Sequence, residues 1–161
     1  MAKARSIPGL RCDTPFGEAA ARTIRVRAEE VFAHAEGVLD TADIERVHDM
    51  RVATRRLRAA LELYEACFPK RAFREALRDV KALADALGAR RDPDVQLAAT
   101  EVPGIESSRA AADRPGLDSF AAALRERQTR GNEVLAQGLR TARESGLAQR
   151  LVDLAATAGP G

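Results

Sequence analysis

The sequence predicts an all-α fold, an antiparallel four-helix bundle with a short extra helix and a flexible N-terminal lead-in. Three observations carry this. Only 4% of residues are aromatic and there is no Trp, so the residues that favour strands are scarce. Hydrophobic residues make up 45% and charged residues 31%, the balance of a globular chain and not of a disordered one. Apolar residues recur at helical spacing through most of the 161 residues. That length suits one domain able to bury a core without disulfides or metals. We divide it into a lead-in, residues 1–15, and a helical domain, residues 16–156.

Pro8, Gly9 and Pro15 break the lead-in. A first helix is expected from about Pro15 to Leu39, with Ile24, Val31, Ala35 and Val38 on one face and Gly37 and Asp40 marking its end. A second starts near Thr41, a suitable N-cap, with Asp43 and Glu45 in its first turn. Val47, Met50, Thr54, Leu57, Leu61, Tyr64 and Phe68 then alternate steps of three and four, the seam of a bundle or coiled coil. Pro69 stops it.

The third helix is expected over about Arg71 to Leu87, with Phe73, Leu77, Val80, Ala84 and Leu87 as its seam and Gly88 as C-cap. Asp92 and Pro93 suit the start of a further short helix. Residues 103–116 sit between two Pro-Gly pairs and are expected to loop. A last helical region spans about Leu117 to Leu154, its apolar face supplied by Phe120, Leu124, Val134, Leu135, Leu139 and Leu147. Gly131, Gly138 and Gly146 are expected to bend or split it.

Charge is informative in its distribution. The net charge is only +2, but residues 46–92 hold 12 Lys and Arg against 7 Asp and Glu. Arg abundance alone has a bland source in codon bias; alignment does not. At about 100° per residue, His48, Arg51, Arg55, Arg58 and Glu62 share one stripe flanking the apolar seam, with Arg56 on the other flank. Arg74, Arg78 and Lys81 form a second stripe, followed by Arg90 and Arg91, and Arg127 and Arg130 on the last helix are candidates for a third wall. Like charges at i,i+4 cost roughly 0.2–0.5 kcal/mol per pair, so a solvated basic face is tolerable. Two aligned stripes are better explained by a polyanion, because guanidinium forks match phosphate oxygens.

Other classes find less support. His48-Asp49 matches the two-letter signature of metal-dependent phosphohydrolases, but adjacent residues on a helix diverge by about 100° and only His34 remains as a further imidazole. We expect no metal, no cofactor and no enzymatic activity. Cys12 and Cys67 lack metal spacing and are expected to be reduced. The N-terminus has no apolar signal-peptide core and no apolar run suits a membrane span, so a cytoplasmic protein is expected. Nucleic acid and an acidic protein partner stay open as alternative ligands of the basic stripes, although no aromatic stacking platform accompanies them.

The stretch "VHDMRVATRRLR", followed by "LRDVKALADALGARRDPDV", resembles the CHAD (conserved histidine α-helical domain) family. That family's pattern is a His, an Arg three residues on, Arg-Arg four residues later, then a helix closing in Leu-Gly and Arg-Asp. Here these are His48, Arg51, Arg55 and Arg56, then Lys81, Leu87, Gly88, Arg91 and Asp92. The likeness covers roughly residues 17–155, with its specific part in 47–95. It implies a non-catalytic helical domain that binds inorganic polyphosphate through basic residues; taken together with the cationic stripes, the residues expected to bind it are His48, Arg51, Arg55, Arg56, Arg58, Arg74, Arg78, Lys81, Arg91, Arg127 and Arg130. Such domains often accompany triphosphate-tunnel hydrolases or locate to polyphosphate granules. Members commonly carry two four-helix halves related by a pseudo-twofold. Only one His-x-x-Arg motif is found here, so this chain resembles a single half, one that pairs as a homodimer or is a shortened, divergent member.

Overall fold

The chain's structure, a computed structural model, describes residues 3–100 and 114–160, the side chains of 114 and 115 aside. Among these residues all the regular structure is helical, with no strand. The expected loop at 103–116 lies largely outside the described residues; its last three positions are helical.

Helix α1 (Phe16–Ala33) ends earlier than expected. A turn follows, in which Gly37 takes the left-handed conformation at φ 70°. That turn, and not a continued helix, delivers Val38 to the core with no exposure. Helix α2 (Ile44–Leu63) is capped by Asp43 in place of Thr41; the Asp43 carboxylate accepts from the Glu45 N–H at 3.2 Å. All seven seam residues read from the sequence are buried. Thr54, the polar one, donates its hydroxyl to the Met50 carbonyl at 2.8 Å. Tyr64 and Phe68 lie beyond the helix, carried inward by a 3₁₀ turn (Glu65–Cys67).

Helix α3 (Lys70–Thr100) runs unbroken through Gly88 and Pro93 for 31 residues, about 46 Å at 1.5 Å per residue. The expected cap at Gly88 and restart at Asp92 are therefore absent, and no separate short helix forms there. Pro93 has no N–H to give the carbonyl of Ala89, four residues back. That carbonyl instead faces Gly131 on helix α4 (Arg114–Glu144), where a Cβ would lie 2.6 Å from the oxygen. Gly131 and Gly138 are thus sites of close helix approach, and neither breaks α4. The chain does divide at Gly146, φ 63°, before the short helix α5 (Leu147–Ala156).

In sequence order α1, α2 and α3 pack side by side, α4 lies on α3, and α5 returns to α1 and closes the bundle. The core joins Ile24 and Val31 to Leu57, Leu61, Val80, Leu87, Leu135 and Leu151. Leu124 and Leu135 are buried as expected, but Phe120 is 49% and Val134 50% exposed: both sit on the flank of α4 and not on its seam. The lead-in has no helix. It lies along α1, with the Arg5 N–H donating to Glu30 at 2.5 Å and Arg22 and Arg27 donating to the carbonyls of Pro8 and Arg5, each at 3.0 Å.

Candidate functional site: the α2–α3 face

Along α2 the seam fixes one side of the helix in the core, so residues flanking it reach solvent beside α3. His48 is half-buried there, and Arg51, Arg55 and Arg58 are exposed. Arg58 Nε donates to Glu62 Oε1 at 3.0 Å. The same oxygen lies 3.7 Å from Lys81 Nζ on α3, which ties the two cationic stripes together across the helix pair. Arg51, Arg55 and Arg74 make no hydrogen bond or ion pair among the described residues.

The remaining expected cations are disposed differently. Arg78 Nε donates to Asp79 at 2.9 Å, and Asp79 also receives Arg150 of α5 at 2.5 Å. Burial pushes the Asp79 carboxyl up, but Arg150 and Arg78 outweigh it and hold the group below its ordinary range. The bond to Asp79 in turn raises Arg78. Arg78 is thus drawn toward Asp79, on the side where α5 packs. Arg56 looks toward α1, where its charge acts on Glu30. Arg91 is half-buried and locks α3 to the start of α2, donating to the Ile44 carbonyl at 3.3 Å and lying 3.9 Å from Glu45. Arg127 and Arg130 are exposed on α4, which packs chiefly on α3; Arg130 pairs with Glu126 at 2.5 Å.

Arg90 escaped the sequence reading as a structural residue. It is fully buried and paired with Asp94; Gln128 of α4 donates to Asp94 at 2.7 Å, and Arg90 Nε donates to Asn132 Oδ1 at 3.3 Å. Asn132 then donates to the Leu39 carbonyl at 3.0 Å. The signal was available: Leu83, Leu87, Arg90, Asp94 and Leu97 continue the seam in steps of three and four. Breaking the helix at Gly88 hid it.

The structure also corrects one geometric argument. His48 and Asp49 diverge on α2, but Glu45, one turn earlier, sits between them. One ligand atom from each of the three lies within 4.8 Å of the others.

Two likenesses place the chain among known proteins. The CHAD domain family model matches residues 22–161. The crystal structure of the CHAD domain from the plant Ricinus communis superposes with a TM-score of 0.72 at 27% identity. That match covers 99% of this chain and 53% of the plant chain, so this chain spans about half of the plant domain's length. No curated protein matches it. No helix among the described residues is long and apolar enough to cross a membrane. With the family match covering most of its length, the chain belongs to the CHAD domain family.

Proposed function

We propose that this chain binds inorganic polyphosphate, without catalysis, on the face formed by α2 and α3. The observation that carries the reading is the set Arg51, Arg55 and Arg74: exposed guanidinium groups on two adjacent helices, with no ion pair among the described residues. Exposed cations normally pair with nearby carboxylates where the helix offers them, as Arg58 and Arg130 do here. A chain of phosphates supplies the missing acceptors. Each guanidinium grips non-bridging oxygens as a planar fork. Lys81 and Arg58 join once the polyanion displaces them from Glu62, and His48 donates from the end of the stripe. Binding of this kind releases counterions and weakens steeply with salt.

We infer further that two copies pair about a twofold axis, so that two basic faces build one site. Association with polyphosphate granules in the cytoplasm follows from the ligand. Competition at matched charge tests the assignment. Polyphosphate should displace a bound DNA duplex or acidic peptide at far lower phosphate or carboxylate concentration than the reverse exchange requires. Equal displacement would mean a general basic surface.

A further inference from the structure

We propose that Gly88 sets the selectivity of the α2–α3 face. The side chain it lacks leaves a notch between α3 and the His48–Arg51 turn of α2. A bare phosphate chain enters that notch; a nucleic-acid strand, with a sugar on every phosphate, does not. This role rests on the polyphosphate reading and adds what makes the face selective.

Neither backbone nor packing calls for glycine at this position. Glycine weakens a helix interior relative to alanine, and Gly88 lies well inside α3, which runs on to Thr100. Among the described residues the glycines with positive φ are Gly9, Gly37 and Gly146, so the Gly88 backbone suits any residue. A Cβ added at Gly131 or Gly138 meets α3 at 2.6 Å or 3.1 Å, whereas one at Gly88 meets nothing within 4 Å. Gly116 is equally open, but it sits in the first turn of α4, where little helix is at stake.

The open space lies on the site. Arg74, Lys81 and Gly88 recur every seven residues and share one side of α3 to within about 40°. Two contacts fix the level. Arg91 donates to the Ile44 carbonyl at the start of α2, and Lys81 lies 3.7 Å from Glu62 near its end. Gly88 falls between them, level with the His48–Arg51 turn. Arg51 is exposed there, with no hydrogen bond or ion pair among the described residues.

Charge directs a polyanion into the same place. Asp85 and Asp92 are exposed one turn either side of Gly88. They lie about 60° and 40° round the helix from it, on the side away from Arg91 and hence from α2. Phosphates are thus repelled from the outer side of α3 and drawn over Gly88 toward Arg51. With no side chain in the way they approach the α3 backbone closely. Arg51 then reaches them from α2, and Lys81 reaches them two turns along α3. Less water between the charges strengthens the attraction.

The test compares Gly88→Ala and Gly88→Gln with the parent chain. Each is titrated calorimetrically with long-chain polyphosphate and with a DNA duplex of matched charge, and each is melted. Expected are melting temperatures equal to or above the parent's. Polyphosphate affinity should be at least about 10-fold lower in Gly88→Gln and intermediate in Gly88→Ala, with DNA affinity unchanged. A protein no less stable that binds its polymer less well leaves a merely structural glycine without explanatory power. Polyphosphate binding by Gly88→Gln equal to the parent's overturns the inference and leaves the polyphosphate reading standing. Equal loss of polyphosphate and DNA overturns it too, since the glycine then serves any anion. So do lower melting temperatures in both variants, which give the glycine a structural reason. A parent chain that does not bind polyphosphate removes both the inference and the reading beneath it.

Discussion

Lys81 of α3 lies 3.7 Å from Glu62 of α2, on an oxygen that already accepts from Arg58 at 3.0 Å. One carboxylate therefore holds a cation from each helix, and it is the only acid within the α2 stripe. Glu62 both ties the two stripes together and competes with any incoming anion. Glu62→Gln should tighten polyphosphate binding several-fold in a calorimetric titration. Stability should change by less than about 0.5 kcal/mol, because both partners are nearly half exposed. Weaker binding in this variant would show that Glu62 orders the cations more than it screens them.

The buried Arg90–Asp94 pair predicts an asymmetric response. Both side chains are fully buried, and Arg90 Nη2 and Asp94 Oδ2 have no hydrogen-bond partner among the described residues. Asp94→Ala leaves a buried guanidinium uncompensated and should cost about 3–5 kcal/mol in urea unfolding. The double variant Arg90→Met/Asp94→Leu removes both charges and should recover most of that loss. A double variant no more stable than the single one would assign the effect to lost packing.

Three glycines in the α3–α4 pair should respond in opposite directions. A Cβ at Gly131 would meet the Ala89 carbonyl oxygen at 2.6 Å, so Gly131→Ala must part the helices and should destabilise by about 1–3 kcal/mol. Gly138→Ala, 3.1 Å from the Ala86 Cβ, should cost less. Gly88 is inside α3 with nothing within 4 Å of the added carbon, and Gly88→Ala should stabilise by up to about 1 kcal/mol. Thermal melts of the three variants check the order; a destabilising Gly88→Ala would restore Gly88 as a helix terminus.

Two carboxylates set the acid limb of stability. Burial pushes Glu30 up, but the Arg5 N–H and the Arg27 guanidinium pull it below its ordinary 4.5. Asp79 is held below 3.8 by Arg150 and Arg78. In both cases the unfolded chain takes up its proton first as pH falls. The stability they contribute is present above about pH 4.5 and is lost as pH drops through the lower folded values. Urea midpoints measured from pH 7 to pH 3 should fall below pH 4.5, and the fall should be shallower in Glu30→Gln and Asp79→Asn. An unchanged slope in both variants would place the acid sensitivity elsewhere.

Much of the fold was legible because burial follows periodicity. The α2 seam from Val47 to Phe68 is buried throughout, although the helix carrying it ends at Leu63. The misreading of α3 has a definite cause. Gly88 and the Asp92-Pro93 pair are local stop and start signals, and tertiary packing of α3 on α4 overrides them. The seam through that region passes Arg90 and Asp94, whose polarity hides them from a hydrophobic pattern. Phe120 and Val134 erred the other way, apolar residues on an exposed flank. For the site, helical spacing was enough to line up Arg51, Arg55 and Arg58. The pairings that separate Arg78 from Lys81 were not legible, because Asp79–Arg150 and Lys81–Glu62 join residues on different helices.

On the proposed reading, the exposed guanidinium groups of α2 bind a phosphate polymer. The direct measurement is calorimetric titration with long-chain polyphosphate at two salt concentrations, comparing the parent chain with Arg51→Ala/Arg55→Ala, with light scattering on the same samples. Tight, salt-sensitive binding by a dimer is expected, lost in the variant while its helicity and oligomeric state are retained. Absence of binding by the parent chain, or binding that the variant leaves unchanged, would contradict it.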